Sequence, residues 1–364
     1  MRNFILLSLC VCMSVMSSCR KDPKIDTTAA KVALGRKIFF DKNLSNPIGQ
    51  SCSSCHAPET AFSDLNHNAV SPGAVDGLFG NRNAPSISYA MYTPSFHYSA
   101  DDSGYIGGLF LDGRANTLEI QAQKPFLNPL EMNNTDAQML VNKVKTASYF
   151  GQYQQLYGDI TDVTAAFKNI ADALAAFERS AEVNPFSSKY DSYLKGQATL
   201  TAEEQRGLVL FQDTLRAQCA NCHLTSADPA SGLILFTDHS YNSNGVPRNP
   251  NNPYYTISSA FNPQGMSYRD LGLGAILNDR LHDGEFKVPT LRNIALTAPY
   301  FHNGVFNTLE DVVHFYNTRD SAGSFAPAEI TANIDSAETG NLHLSAQEEK
   351  DIVAFLKTLT DGYK

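Results

Sequence analysis

The chain has 364 residues, 43% of them hydrophobic and 18% charged, ordinary values for a globular protein long enough for two domains. Its 28 basic and 37 acidic residues give a net charge of −9, which argues against a nucleic-acid partner because such partners select a basic face. No apolar run reaches the ~18 residues that a membrane span needs, and tryptophan is absent, so no role can rest on an indole.

Arg2 opens a short apolar run, Phe4 to Met16, and Ser17-Ser18 then precede Cys19. That order predicts a signal peptide over residues 1–18. The small residues before a cysteine resemble the processing site of a bacterial lipoprotein, with Cys19 as the lipid-carrying residue. Met16 fits that site loosely, so plain cleavage and secretion is the alternative. A buried first helix is a poorer reading, because Arg20, Lys21 and Asp22 follow at once. The mature chain is therefore expected in the periplasm, with a lipid anchor as its only tie to a membrane.

Two segments come next in weight, Cys52-Ser53-Ser54-Cys55-His56 and Cys219-Ala220-Asn221-Cys222-His223. Each is a complete C-x-x-C-H, the attachment signature of c-type haem. Two intervening residues let both thiols reach the vinyl groups on one haem edge, and the following imidazole can ligate the iron. Zinc could use paired C-x-x-C segments but would not require a histidine after both. A disulfide suits an oxidising compartment, although a C-x-x-C loop is strained and redox-active. Two c-type haems are the better reading.

The chain repeats itself around these motifs. Gly35-Arg36-Lys37-Ile38-Phe39 precedes the first, and Gly207-Leu208-Val209-Leu210-Phe211 the second. Downstream, Phe110 to Glu119 aligns without a gap on Phe301 to Glu310, sharing Phe, Gly, Asn, Thr, Leu and Glu. Two copies of one haem module follow, an N-terminal one over residues 26–190 and a C-terminal one over 198–362, with the boundary between Pro185 and Ala198.

The elements read as helices. Val163, Phe167, Ile170, Leu174 and Phe177 make an apolar stripe at helical spacing across Thr161 to Arg179. Thr201-Ala202-Glu203-Glu204 starts a helix, and Ser345-Ala346-Gln347-Glu348 is a capping box ahead of Ile352, Val353, Phe355, Leu356 and Leu359. Asn66 to Asn83 and Ser240 to Gly274 are rich in Gly, Pro, Asn and Ser and read as loops. The expected fold is all-α and loop-rich, with the haems supplying core that the loops do not.

The repeat also asks what faces each iron on its open side. Tyr316 lies fifteen residues after Phe301, and the same offset from Phe110 lands on Pro125, which has no side chain able to ligate. If Tyr316 caps the second haem, the first stays open for a small molecule. The bland alternative has Tyr316 packed in its helix, with His314 or Met266 as the ligand.

Taken with Arg82-Asn83-Ala84-Pro85-Ser86, Asp112-Gly113-Arg114, Asn128-Pro129-Leu130-Glu131-Met132, Val288 to Asn293 and Thr297 to Gly304, these motifs resemble the bacterial di-haem cytochrome c peroxidase and MauG superfamily from about Ala33 to Leu359. The resemblance implies two cytochrome c-like domains with a calcium ion between them. It makes His56 the proximal ligand of a peroxidatic haem and His223 that of an electron-transfer haem. Glu131 becomes the distal acid–base group, with Gln121 as the amide beside it; read alone, Glu131 would be a surface carboxylate after a proline turn. Asn83 with the carbonyls of Thr297 and Pro299 resembles the calcium site.

There are departures. Peroxidases of this family usually ligate the second haem with methionine, and Tyr316 follows the MauG branch instead. The loop Val70 to Gly77 lacks the distal histidine many members carry, His67 being the nearest imidazole. Leu111 stands where a tryptophan is common between the haems.

The resemblance implies a peroxidase taking hydrogen peroxide and electrons from a small cytochrome c or cupredoxin, possible as a homodimer. A MauG-like oxidase that modifies residues of a partner protein is the alternative. A plain electron carrier is a third class, disfavoured by Glu131, Gln121 and Pro125.

Overall fold

The computed structural model describes residues 27–364, so the expected signal peptide and Cys19 lie outside the described residues. The helices are α1 (Thr27–Phe39), α2 (Leu118–Leu127), α3 (Ala137–Thr146), α4 (Phe150–Tyr157), α5 (Val163–Glu178), α6 (Lys189–Leu194), α7 (Ala202–Gln212), α8 (Leu273–Leu277), α9 (Leu309–Thr318) and α10 (Ala346–Lys357). Sheet among the described residues is confined to two short antiparallel ribbons, β1 (His97–Ser99) with β2 (Gly104–Ile106) and β3 (Tyr241–Asn242) with β4 (Phe286–Lys287). No helix here is long and apolar enough to cross a membrane.

Local chemistry sets the helix starts. Asp162 caps α5, accepting from the backbone of Thr164 and Ala165. Thr201 and Ser345 form reciprocal capping boxes with Glu204 and Glu348, each satisfying two otherwise orphaned donors.

The two largest hydrophobic cores among the described residues form around α1 and α5 and around α7 and α10. The same device builds both. A Cβ on Gly35 would collide with the Ala173 carbonyl of α5, and one on Gly207 with the Asp351 carbonyl of α10. Glycine thus lets each helix pair cross in backbone contact. Phe39 then meets Phe177 at 5.1 Å between ring centroids, and Phe211 meets Phe355 at 5.2 Å.

The sequence repeat is also a backbone repeat. Leu109 bridges Ala115 as Tyr300 bridges Phe306. Phe110 and Phe301 take left-handed φ of 64° and 65°. Thr117 and Thr308 then cap α2 and α9.

One boundary differs from the sequence reading. Tyr190, placed at the end of the first module, packs in the second core. Its amide donates to the Thr358 carbonyl, and Asp191 pairs with Arg292 at 2.9 Å. Helix α6 therefore belongs with the second half: it carries its own apolar residue and a capping box from Ser188, which composition alone made look like a linker.

A buried ion cluster joins the halves. The Arg82 guanidinium donates to Asp112 at 2.6 Å and to both Asp270 oxygens at 2.6 and 2.8 Å. Burial alone would push the Asp270 carboxyl up, but Arg82 overrides it and holds it down at about 2. Its folded value lies below the ordinary 3.8, so the stabilisation is present above pH 3.8 and is lost as pH falls toward 2. Arg82→Met should cost about 3–5 kcal/mol at neutral pH, because it strands buried carboxylates. A denaturant midpoint equal to wild type would show that the cluster carries no such weight.

Candidate active site

The two C-x-x-C-H segments fold alike. Each begins as a single tight turn, Cys52–Ser54 and Cys219–Asn221. The histidine amide then donates back to the first cysteine carbonyl, at 2.9 Å in both. His56 Nδ1 lies 3.2 Å from the Phe62 carbonyl, and His223 Nδ1 lies 2.9 Å from that of Phe236. A carbonyl can only accept, so Nδ1 carries the proton and Nε2 presents its lone pair. This is the orientation a metal-ligating histidine needs. Burial lowers both imidazoles, His223 to about 4, which keeps them neutral at pH 7.

The four cysteines of the motifs form no disulfide. Burial pushes all of them up, Cys55, Cys219 and Cys222 to about 12. No group of three or more His, Cys, Asp or Glu among the described residues is arranged to hold a metal ion. The donor set therefore fits thioether attachment with one axial imidazole per motif, and not a zinc cluster.

On the first side, Gln121 and Pro125 stand one turn apart on α2 and share a face. The chain turns after Asn128: the Met132 amide reaches the Pro125 carbonyl at 3.2 Å and the Glu131 amide reaches that of Asn128 at 3.0 Å. Ala74 donates to the Glu131 carbonyl at 2.7 Å, so the 70–77 loop clamps this turn. Glu131 is half-buried. Burial raises its carboxyl, against the opposing pull of Asn128 and Arg114. Its charge in turn raises Cys52 and Cys55, which puts the carboxylate within electrostatic reach of the first motif.

Arg114 is a site residue the sequence reading left without a role. Asp112 holds its guanidinium at 2.7 and 2.8 Å, over the Phe110 ring at 3.7 Å. From that position its charge lowers the Glu131 carboxyl.

On the second side, one cavity is lined by Cys219, Cys222, His223, Asn244 and Tyr316. Asn244 Nδ2 donates to the Tyr316 hydroxyl at 3.3 Å; nothing in the local sequence marks this partner. Burial and the nearby Cys222 and Cys219 sulfurs push the phenol above its ordinary value. The rival ligands lie elsewhere. His314 is exposed and bonded to Glu349 at 3.0 Å, and Met266 is 59% exposed.

Asn83, Thr297 and Pro299 line the same cavity. Asn83 Nδ2 donates to the carbonyls of Asn68 and Ala69, both at 3.2 Å. Its Oδ1 is thereby the atom left for a hard cation, which takes amide and backbone oxygens. Leu111 lines this cavity too. His67 does not join the site: it is exposed and bonds the Ala298 carbonyl at 2.8 Å, a contact across the two halves.

A di-haem cytochrome c peroxidase family model matches residues 29–199. The chain is 35% identical over 353 residues to the methylamine utilization protein MauG of Paracoccus denitrificans (strain Pd 1222), covering 91% of this chain and 89% of that one. It is 30% identical over 344 residues to the cytochrome-c peroxidase IdrP2 of Pseudomonas sp. (strain SCT), covering 91% and 81%. Its fold is similar to that of the diheme peroxidase BthA from Burkholderia thailandensis E264, with a TM-score of 0.78 and 34% identity over 93% and 89% of the two chains.

Proposed function

Because the chain belongs to the di-haem cytochrome c peroxidase and MauG family, we propose that it is a periplasmic peroxidase, reducing hydrogen peroxide to water with electrons from a small cytochrome c or cupredoxin. The observation that carries this reading is Glu131: a half-buried carboxyl with a raised pKa, within electrostatic reach of the first motif and on the turn that follows the Pro125 helix.

A haem held by Cys52, Cys55 and His56 would supply the iron at which the peroxide oxygen–oxygen bond is cleaved. The chain supplies the proton handling. Glu131 takes the proton from the oxygen nearer the haem and returns it to the departing oxygen, which leaves as water. Gln121 orients the peroxide by hydrogen bonding. Pro125 offers no ligand that would have to be expelled. Asn128 and Arg114 oppose the rise in the Glu131 pKa, favouring the ionised form that accepts the proton. Cys219, Cys222 and His223 would hold a second haem, with Tyr316 in the same cavity as its further ligand, and that group would supply the route for electrons. Asn83 with the Thr297 and Pro299 carbonyls would hold a calcium ion.

The test is steady-state peroxide consumption with a reduced small cytochrome c. Turnover supports the reading; two intact haems and no turnover would sink it. Pyridine haemochrome analysis should give two haems per chain, and the Cys219→Ala/Cys222→Ala variant one. A value of one haem in the wild type would remove the di-haem basis.

The tyrosine at position 316 and the similarity to the Paracoccus MauG protein favour a second reading, an oxidase that uses peroxide to modify residues of a partner protein. Covalent change in such a partner, dependent on peroxide and absent with Tyr316→Phe, would support it over the first.

A further inference from the structure

The two haem modules differ at one buried position beside the attachment motif. Phe177 and Phe355 are equivalent in the two helix crossings. The next residue is Glu178 in α5 and Leu356 in α10. Leu356 lines the second cavity together with Cys219. Glu178 thus occupies, beside the first motif, a place where the second module puts an aliphatic side chain.

Three observations separate this carboxyl from a chance surface acid. It is 6% exposed. Its Oε2 is buried and has no hydrogen-bond partner. And among charged groups it is the largest influence on the Cys52 thiol, ahead of Cys55 within the same motif. Cys52 is a residue through which the haem edge would be bonded, so the carboxyl is within electrostatic reach of that edge. An unpartnered buried carboxylate is costly, and a leucine there would avoid the cost, as the second module demonstrates.

We propose that Glu178 is a positioning residue for charge at the first haem: it exchanges one proton with solvent as that haem gains or loses one electron. The inference rests on the assignment of haem to Cys52, Cys55 and His56. On reduction, the electron comes from the small redox protein and the proton from bulk water, so the buried charge stays constant. On reoxidation both leave. The anionic form favours the oxidised haem by direct Coulomb attraction in a poorly screened site.

The surroundings agree in sign. Burial raises the Glu178 carboxyl, the exposed Arg179 pulls it back and Glu119 pushes it further, to about 8. Arg179 and Glu119 form a half-exposed pair at 2.7 Å. Glu131 is the other carboxyl acting on Cys52. Cys52 itself no longer titrates once it is a thioether.

The test is a spectroscopic redox titration of the di-haem protein on both sides of pH 8. In the wild type the first haem's potential should fall with rising pH on a one-proton slope, and the second's should stay flat there. Glu178→Gln should raise the first potential above pH 8 and remove its slope, leaving the second haem unchanged. Equal potentials in wild type and variant, or equal shifts of both haems, would overturn the proposal. Should Glu178→Gln load haem poorly, Glu178→Leu copies the second module, and the redox-difference infrared spectrum of the wild type gives a second readout. A carboxyl band that appears on reduction supports the assignment, and its absence refutes it. Failure of the peroxidase reading would show separately, as two titrating haems that consume no peroxide.

Discussion

Glu131→Gln is expected to retain both haems and to lose peroxide turnover by about 10²–10⁴-fold, the usual contribution of a fixed general acid–base group. The amide keeps the size and hydrogen-bonding reach of the carboxyl but cannot carry the proton. The turn that aims residue 131 depends on the backbone, through the amides of Glu131 and Met132, so the substitution leaves the site's shape alone. A companion measurement tests the environment. Arg114 lowers the Glu131 pKa, so Arg114→Gln should raise it and move the acidic limb of the kcat/KM profile to higher pH. Wild-type turnover in Glu131→Gln would assign proton transfer to another group. An unmoved limb in Arg114→Gln would place the titrating group away from residue 131.

Tyr316→Phe should change the low-spin electron paramagnetic resonance signal of the oxidised protein and leave the high-spin one. With Tyr316 and Pro125 at equivalent places on two matching helices, a haem at the second motif would have a tyrosine available to ligate it and one at the first would not. A free phenol has a pKa of ~10, and burial raises this one, so the metal must hold it deprotonated, as metals do to their ligands. Asn244 would then donate to an anionic oxygen. Losing that anionic ligand should also raise the second haem's potential, since it no longer favours the ferric state. An unaltered low-spin signal in the variant, or two low-spin haems in the wild type, would remove Tyr316 from the iron.

Much of this protein is readable from neighbours along the chain. The C-x-x-C-H spacing, the Thr201 and Ser345 caps, the α5 stripe and the Phe110/Phe301 repeat are all local. Each depends on residues within a turn or two, so sequence order carries the physics directly. Even the placement of proline opposite tyrosine follows, because a gap-free repeat puts equivalent residues at equivalent places in equivalent turns.

Other features depend on which surfaces meet. Tyr190 looks like linker until its ring finds the second core. His67 is close to the distal loop in sequence, yet its backbone and the Ala298 carbonyl hold it at the surface. Arg114, held by Asp112, acts on Glu131, and Asn244 reaches Tyr316 from a loop 72 residues away. Glu178 falls at the end of an amphipathic helix, where periodicity alone makes an acid unremarkable. Its significance lies in desolvation: the fold buries the carboxyl and brings it within electrostatic reach of Cys52. Spacing and propensity act between near neighbours, so the sequence by itself determined the motifs, the helices and the duplicated plan. Burial and charge act across space, so only the tertiary structure decided which side chains share each site and which protons they hold.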